Sequence, residues 1–289
     1  MKLIVIVGPT AVGKTKLSIE LAKKYDGEII NADSTQVYKK LNIATAKVTE
    51  EEKEGIKHHL LDIKELEEPY TVYDFKKDAT KKIEEITKRG KTPIIVGGTG
   101  LYITSLLYDY KFEEENSDIK VEADYEKLLK IDPNTKIHKN NKKRIERFLS
   151  YYEKTGKKLT DKEMSKNMIY DAFVIGLTTK RDILYERINK RVDDMIENGL
   201  IEEAKTIYDK NIRTKAVMTP IGYKELFLYF DSKLTKEEAI EKIKQNSRHY
   251  AKRQYTWFNN KMEVKWFDVD FKNFSNTVKK IEEYIENMI

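Results

Sequence analysis

Leu3-Ile4-Val5-Ile6-Val7 followed by Gly8-Pro9-Thr10-Ala11-Val12-Gly13-Lys14-Thr15 is the stretch that decides the fold. The first five residues read as a buried strand, and the next eight satisfy G-x-x-x-x-G-K-[ST] at every fixed position. Glycines let the backbone wrap round an anion, successive N–H groups and the N-terminus of the next helix point at it, and the lysine adds a point charge. Leu17, Leu21 and Ala22 then share one helical face, so the loop joins a strand to a helix, the context a phosphate-binding loop requires. The candidate phosphate ligands are therefore Gly8 to Thr15, with the Thr15 hydroxyl as the candidate Mg²⁺ ligand.

The alternation continues outward from this point. Glu28 to Ala32, Pro93 to Val96 and Ala172 to Leu177 are short apolar runs ending in turn residues, Val264 to Asp268 is a fifth candidate strand, and helical patterns lie between them. Such an order predicts an α/β fold, a P-loop NTPase-like parallel sheet flanked by helices. Between Lys111 and Lys166 no strand pattern occurs, while Ile145, Phe148, Leu149 and Tyr152 recur at spacings of three and four. This predicts a small α-helical insertion, residues 113–166, within a catalytic core made of 1–112 and 167–289. Thr179 is expected to cap a helix carrying Ile183, Leu184, Ile188, Val192 and Met195 and ended by Gly199. Thr235 with Glu238 forms a capping box for another.

Composition removes several classes of function. The 289 residues include no cysteine, which excludes disulfides, thiolate metal sites and cysteine nucleophiles and suits a reducing cytoplasm. No apolar run approaches the ~20 residues that span a bilayer, and Gly8-Pro9 follows the first strand in place of a signal-peptide cleavage pattern, so no membrane association is expected. With 55 Lys+Arg against 49 Asp+Glu the net charge is only +6. Its distribution says more. Lys139, Lys142, Lys143, Arg144 and Arg147 face one acid, Glu146, and Lys242 to Arg253 holds five basic residues and no acid. Solvated helix faces and grips for phosphate both fit these segments.

A phosphate loop alone does not specify the compound bound. Kinases and NTPases pair it with a carboxylate at a strand end that organises Mg²⁺. Pro93-Ile94-Ile95-Val96 runs into Gly97-Gly98-Thr99-Gly100, where there is no acid. Glu28-Ile29-Ile30-Asn31-Ala32 runs into Asp33-Ser34-Thr35-Gln36-Val37-Tyr38, which puts Asp33 at the carboxyl edge where open α/β sheets bind ligands. A metal ligand, a general base and a helix N-cap all remain open for Asp33 on position alone.

Four blocks, in order and spread over nearly the whole chain, resemble one family, the tRNA dimethylallyltransferases. They are Gly8-Pro9-Thr10-Ala11-Val12-Gly13-Lys14-Thr15; Asp33-Ser34-Thr35-Gln36-Val37-Tyr38 with Thr45-Ala46-Lys47 and His58-His59-Leu60-Leu61-Asp62; Gly97-Gly98-Thr99-Gly100-Leu101-Tyr102; and Ile221-Gly222-Tyr223-Lys224-Glu225 with Tyr250-Ala251-Lys252-Arg253-Gln254 and Thr256-Trp257-Phe258. Ala44, Val48, Lys57 and Asn259 depart from the family's usual Gly, Pro, Pro and Arg, and Arg144 to Leu149 matches its usual pattern only in part.

The resemblance implies transfer of a dimethylallyl group from dimethylallyl diphosphate to N6 of the adenine next to the anticodon, in tRNAs reading codons that begin with U. Diphosphate is the leaving group and Mg²⁺ the cofactor, in a cytoplasmic, monomeric prenyltransferase of tRNA modification. Such a reaction gives the loop a leaving group to hold, which accounts for the missing strand-end acid. Asp33 and Thr10 are the expected catalytic residues. Asp33 would accept the N6 proton, worth ~10² to 10⁴-fold, and Thr10 would touch the diphosphate. Asp33, Ser34, Thr35, Gln36 and Thr99 are expected to meet tRNA, Gln36 being the best reader of an extruded adenine because its amide both donates and accepts. Lys143, Arg144 and Arg147, and Arg248 and Lys252 along one helix face with Lys244, are expected on the tRNA backbone. Plain loop filling for Thr10 and a helix cap for Thr99 stay open. His58 and His59 have no third ligand at suitable spacing and are assigned no metal. Three alternatives are weighed: an isopentenyltransferase acting on free AMP, ADP or ATP, a kinase, and a non-enzymatic tRNA binder. The basic insertion, the missing strand-end acid and the Gly13-Lys14-Thr15 motif, respectively, argue against them.

Overall fold

The structure, a computed structural model, describes residues 2–108, 121–159 and 167–288. Among these, β1 (Leu3–Val7), β2 (Gly27–Asn31), β3 (His58–His59), β4 (Thr92–Val96), β5 (Ala172–Thr178) and β6 (Lys265–Asp268) form one parallel sheet in the order β3-β2-β4-β1-β5-β6. The helices are α1 (Lys14–Lys24), α2 (Glu50–Lys53), α3 (Val72–Lys88), α4 (Gly100–Leu107), α5 (Tyr125–Ile131), α6 (Lys142–Thr155), α7 (Arg181–Glu197), α8 (Leu200–Asp209), α9 (Lys215–Met218), α10 (Tyr223–Phe230), α11 (Lys236–Lys261) and α12 (Phe274–Glu286).

β1 is central, which explains its composition. Ile4 lies opposite Ile94 of β4 on one side and Phe173 of β5 on the other, and all five residues of β1 are buried, so both faces must be aliphatic. From β1 the chain passes through α1 to β2 on one side of the sheet and reaches β5 on the other side only later. The strand order thus reverses beside β1, and the crevice beyond the carboxyl ends of β1, β2 and β4 is where such a sheet takes ligands. Leu17 and Leu21 of α1, Leu184 and Ile188 of α7 and Ile281 of α12 close the core around Ile4, Ile6, Ile94 and Ile175.

The five strands read from the sequence agree with the observed ones to within a residue at each end. β3, at two residues, is too short for its pattern to declare itself. One expected helix boundary differs. α7 is preceded by Lys180, with no side-chain cap, rather than by Thr179, which lies one residue further out where its N–H donates to the Tyr255 hydroxyl. Gly199, left-handed at φ 95° directly after the Asn198 cap, ends α7 as expected and also stands at the N-cap of α8. The capping box of Thr235 and Glu238 is formed, each partner accepting the other's backbone N–H.

The chain divides into two compact units, Met1–Leu107 with Ile169–Ile289, and Tyr108–Met168. The expected boundaries at 113 and 166 lie outside the described residues. Tyr108 and Met168 form an isolated antiparallel bridge, so the second unit starts and ends at one point. Its core is built where Ile145, Phe148 and Leu149 of α6 meet Leu128 of α5, with Val121, Tyr125 and Ile137 against them. Among the described residues no helix is long and apolar enough to cross a membrane.

Candidate active site

The loop from Gly8 to Thr15 turns between β1 and α1 at the reversal point. Gly13 sits at φ 93°, a left-handed conformation that glycine adopts without strain, and hands the chain to Lys14 as the first helical residue. No side chain caps α1 and no acid lies in its first turn, so the N-terminus keeps its positive end for an anion. The Lys14 ammonium curls back to donate to Pro9 O at 2.6 Å. Burial of that ammonium, then repulsion from Arg191, pushes its pKa down to about 7 against the pull of Asp33. The residue as a whole is half-buried, so the depression belongs to the dry setting of the charged end. Lys14 and Arg191 repel each other in a desolvated setting while Asp33 pulls on both, an arrangement that suits a further anion of high charge such as a diphosphate.

Arg191 and Arg187 come from α7 and escaped the sequence reading, since both sit in the polar half of an ordinary amphipathic pattern. Arg191 is itself lowered by burial and feels Asp33 and Glu52. Arg187 Nε donates to Ala11 O at 2.9 Å, with its guanidinium over the Phe271 ring at 3.8 Å. This pins the apex of the loop, where Ala11 is held left-handed at φ 66°. Thr15 is exposed on the first turn of α1. Its hydroxyl is a hard oxygen donor of the kind Mg²⁺ prefers.

At the carboxyl edge of β2, Asp33 does not cap a regular helix. Its Oδ1 accepts from the Thr35 N–H (2.8 Å) and hydroxyl (2.6 Å), and among the described residues Oδ2 has no hydrogen-bond partner. One oxygen therefore fixes the carboxylate and the other keeps its capacity to accept a hydrogen bond. Thr35 is spent on this orientation. Ser34 joins Thr99 from the turn after β4, the Ser34 N–H donating to Thr99 Oγ1 at 3.0 Å. Thr99 thus acts here as a tie between two strand ends; α4 begins one residue later. Gln36 is oriented differently from a free reader of bases: Nε2 donates to Thr45 O (2.9 Å) and Ala46 O (3.3 Å), which leaves the carbonyl oxygen.

Gln254 of α11, another residue whose role the sequence reading did not assign, ties these turns together. Its Oε1 accepts the Thr10 N–H at 3.0 Å and its Nε2 donates to Gly98 O at 3.1 Å. A side chain at Gly98 would place Cβ 2.1 Å from that Nε2, so glycine is required for the amide to reach. The Thr10 N–H is thereby withdrawn from any anion. Tyr250, one turn earlier, is kept protonated by burial and by the nearby Asp33 charge.

The expected tRNA cations fall into three situations. Lys143, Arg144 and Arg147 are exposed on α6, opposite Ile145, Phe148 and Leu149. No acid occupies the first turn of α6, an arrangement unfavourable to the helix itself. Lys252 is exposed on α11. Lys244 and Arg248 instead dock on α7, Lys244 Nζ 2.6 Å from Asp193 and Arg248 Nη1 donating to Asn189 Oδ1 at 2.6 Å, with Glu241 beside it. The acid-free run in the sequence is thus partly offset by Asp193 of α7 and by Glu241 from the preceding turns of α11 itself. His59 Nε2 lies 2.6 Å from Glu28, which also binds Arg89, and His58 Nδ1 contacts Ile56 O at 2.9 Å.

The family model described as IPP transferase matches residues 36–261. A tRNA dimethylallyltransferase of Anoxybacillus flavithermus is 53% identical over 299 residues, spanning 99% of this chain and 96% of its own. Among solved structures, the full-length tRNA isopentenylpyrophosphate transferase of Bacillus halodurans superposes with a TM-score of 0.79 at 45% identity, covering 99% of this chain and 96% of that one. A eukaryotic dimethylallyltransferase acting on tRNA gives 0.84 at 35% identity, covering 99% and 80%.

Proposed function

The chain belongs to the tRNA dimethylallyltransferase family, and on that premise we propose that it moves a dimethylallyl group from dimethylallyl diphosphate to N6 of an adenine beside the anticodon. The acceptors are tRNAs that read codons beginning with U, and the enzyme is monomeric and cytoplasmic. The observation that carries this reading is the juxtaposition of a desolvated cation pair, Lys14 and Arg191, with a carboxylate held by one oxygen, Asp33. Diphosphate binds the loop N–H groups other than that of Thr10, which Gln254 holds, and the two cations. As the bond from the allylic carbon to oxygen breaks, its electron pair goes to the diphosphate, and this charge is what the site stabilises. N6 forms the new bond to carbon and gives up a proton to Asp33 Oδ2. Mg²⁺, when bound, offsets further diphosphate charge, and Thr15 is the residue that would hold it. Lys143, Arg144 and Lys252 contribute electrostatic attraction to the tRNA backbone. The test is incubation with labelled dimethylallyl diphosphate and, separately, tRNA or AMP, and with labelled ATP. Label in tRNA alone is expected, and label in AMP or transfer from ATP would overturn the reading.

A further inference from the structure

Glu203 lies on α8, outside every sequence block quoted above, yet its carboxylate is taken up by the loop that follows Gln36. Its oxygens accept from three consecutive N–H groups, those of Asn42 (3.0 Å), Ile43 (2.9 and 3.2 Å) and Ala44 (3.2 Å), and from the hydroxyl of buried Tyr223 (2.7 Å). Successive N–H groups converging on one point make an anion nest, and here a side chain of the protein fills it. The loop so anchored closes on itself, the Lys47 N–H donating to Asn42 O and the Ala46 N–H to Ile43 O, both at 2.9 Å. Its carbonyls at Thr45 and Ala46 are the two that accept from Gln36 Nε2. Among the described residues no donor reaches Gln36 Oε1.

We propose that Glu203 is a positioning residue for the accepting base: by filling the nest at Asn42, Ile43 and Ala44 it holds the carbonyls that turn Gln36 acceptor-outward. Gln36 then accepts a hydrogen from an exocyclic amino group and disfavours a base that presents a carbonyl there, because two acceptors would face each other. This rests on the reading that the acceptor is a tRNA adenine.

The experiment is a double-mutant cycle on prenyl transfer to tRNA with Glu203→Gln, Gln36→Ala and both together. Each single change should lower kcat/KM for tRNA about tenfold or more while the KM for dimethylallyl diphosphate stays within about twofold. Because both act through one contact, the double variant should be no more than about threefold below the weaker single. Losses that multiply in the double variant, or a KM for dimethylallyl diphosphate that rises as far as tRNA use falls, would overturn the proposal. Should Glu203→Gln fail to fold, Tyr223→Phe removes one donor and leaves the carboxylate. Its smaller loss in the same parameter should also be non-additive with Gln36→Ala, and a multiplicative loss overturns the proposal equally. A parent protein that labels no tRNA would instead refute the proposed function before any variant is compared.

Discussion

Binding of dimethylallyl diphosphate should draw a proton onto the protein. In the free protein the Lys14 ammonium is held at a pKa of about 7, down from 10.5, by burial first and Arg191 second, with Asp33 opposing. At about pH 8 only roughly one molecule in ten then carries the Lys14 charge, and a bound diphosphate that restores the ordinary value fills the site, an uptake of about 0.9 proton. The substrate is fully ionised at that pH, so it supplies no compensating proton. Calorimetric titration in two buffers of different ionisation enthalpy, without metal, measures the uptake directly. Lys14→Met should abolish it and weaken binding. An uptake below about 0.2 proton in the parent, or one equal in Lys14→Met, would refute the desolvated-cation account. The same shift bears on stability. Between about pH 7 and 10.5 the unfolded chain holds more protons than the folded one, so stability from this group rises with pH. Its cost is present in full below about pH 7 and relieved towards 10.5.

Asp33→Asn keeps an oxygen for the Thr35 N–H but loses proton acceptance, so single-turnover transfer should fall ~10² to 10⁴-fold with tRNA affinity nearly unchanged; parent-like transfer would exclude the base role. Replacing Lys143 and Arg144 by alanine should lower the slope of log tRNA affinity against log salt by about 1.5, at ~0.7 to 0.9 per lost phosphate contact, whereas Lys244→Ala, paired with Asp193, should leave it unchanged. Phe148→Ala removes a fully buried ring from the small core at α5 and α6 and should cost about 3 to 5 kcal/mol. Hydrogen exchange should show lost protection in 121–159, with the β1 amides unaffected.

What the sequence by itself determined is what local pattern encodes. Leu3 to Val7 announced a central strand because a strand paired on both sides and covered on both faces has no polar position to spare. Gly8 to Thr15 announced a tight turn from strand to helix because left-handed positions and a helix N-terminus are specified by adjacent residues. The spacing of Ile145, Phe148 and Leu149 declared the α6 face that builds the core of the second unit for the same reason, one helix turn being a local object. Asp33 was legible as a carboxylate at the carboxyl edge of β2, though not which of its oxygens is occupied.

Tertiary structure alone decided the rest, because burial and long-range pairing are not local. The pattern of α7 does not say that Arg187 and Arg191 reach the loop of residues 8–15, nor does the motif around Gln254 say that one amide will bridge Thr10 to Gly98. Lys244 and Arg248 read as a free basic face only until α7 supplies Asp193 and Asn189. Gln36 carries a donor and an acceptor in the sequence. Folding removes the donor, because the backbone carbonyls of Thr45 and Ala46 are held against it by a loop that Glu203, more than 150 residues away in the chain, anchors through its N–H groups.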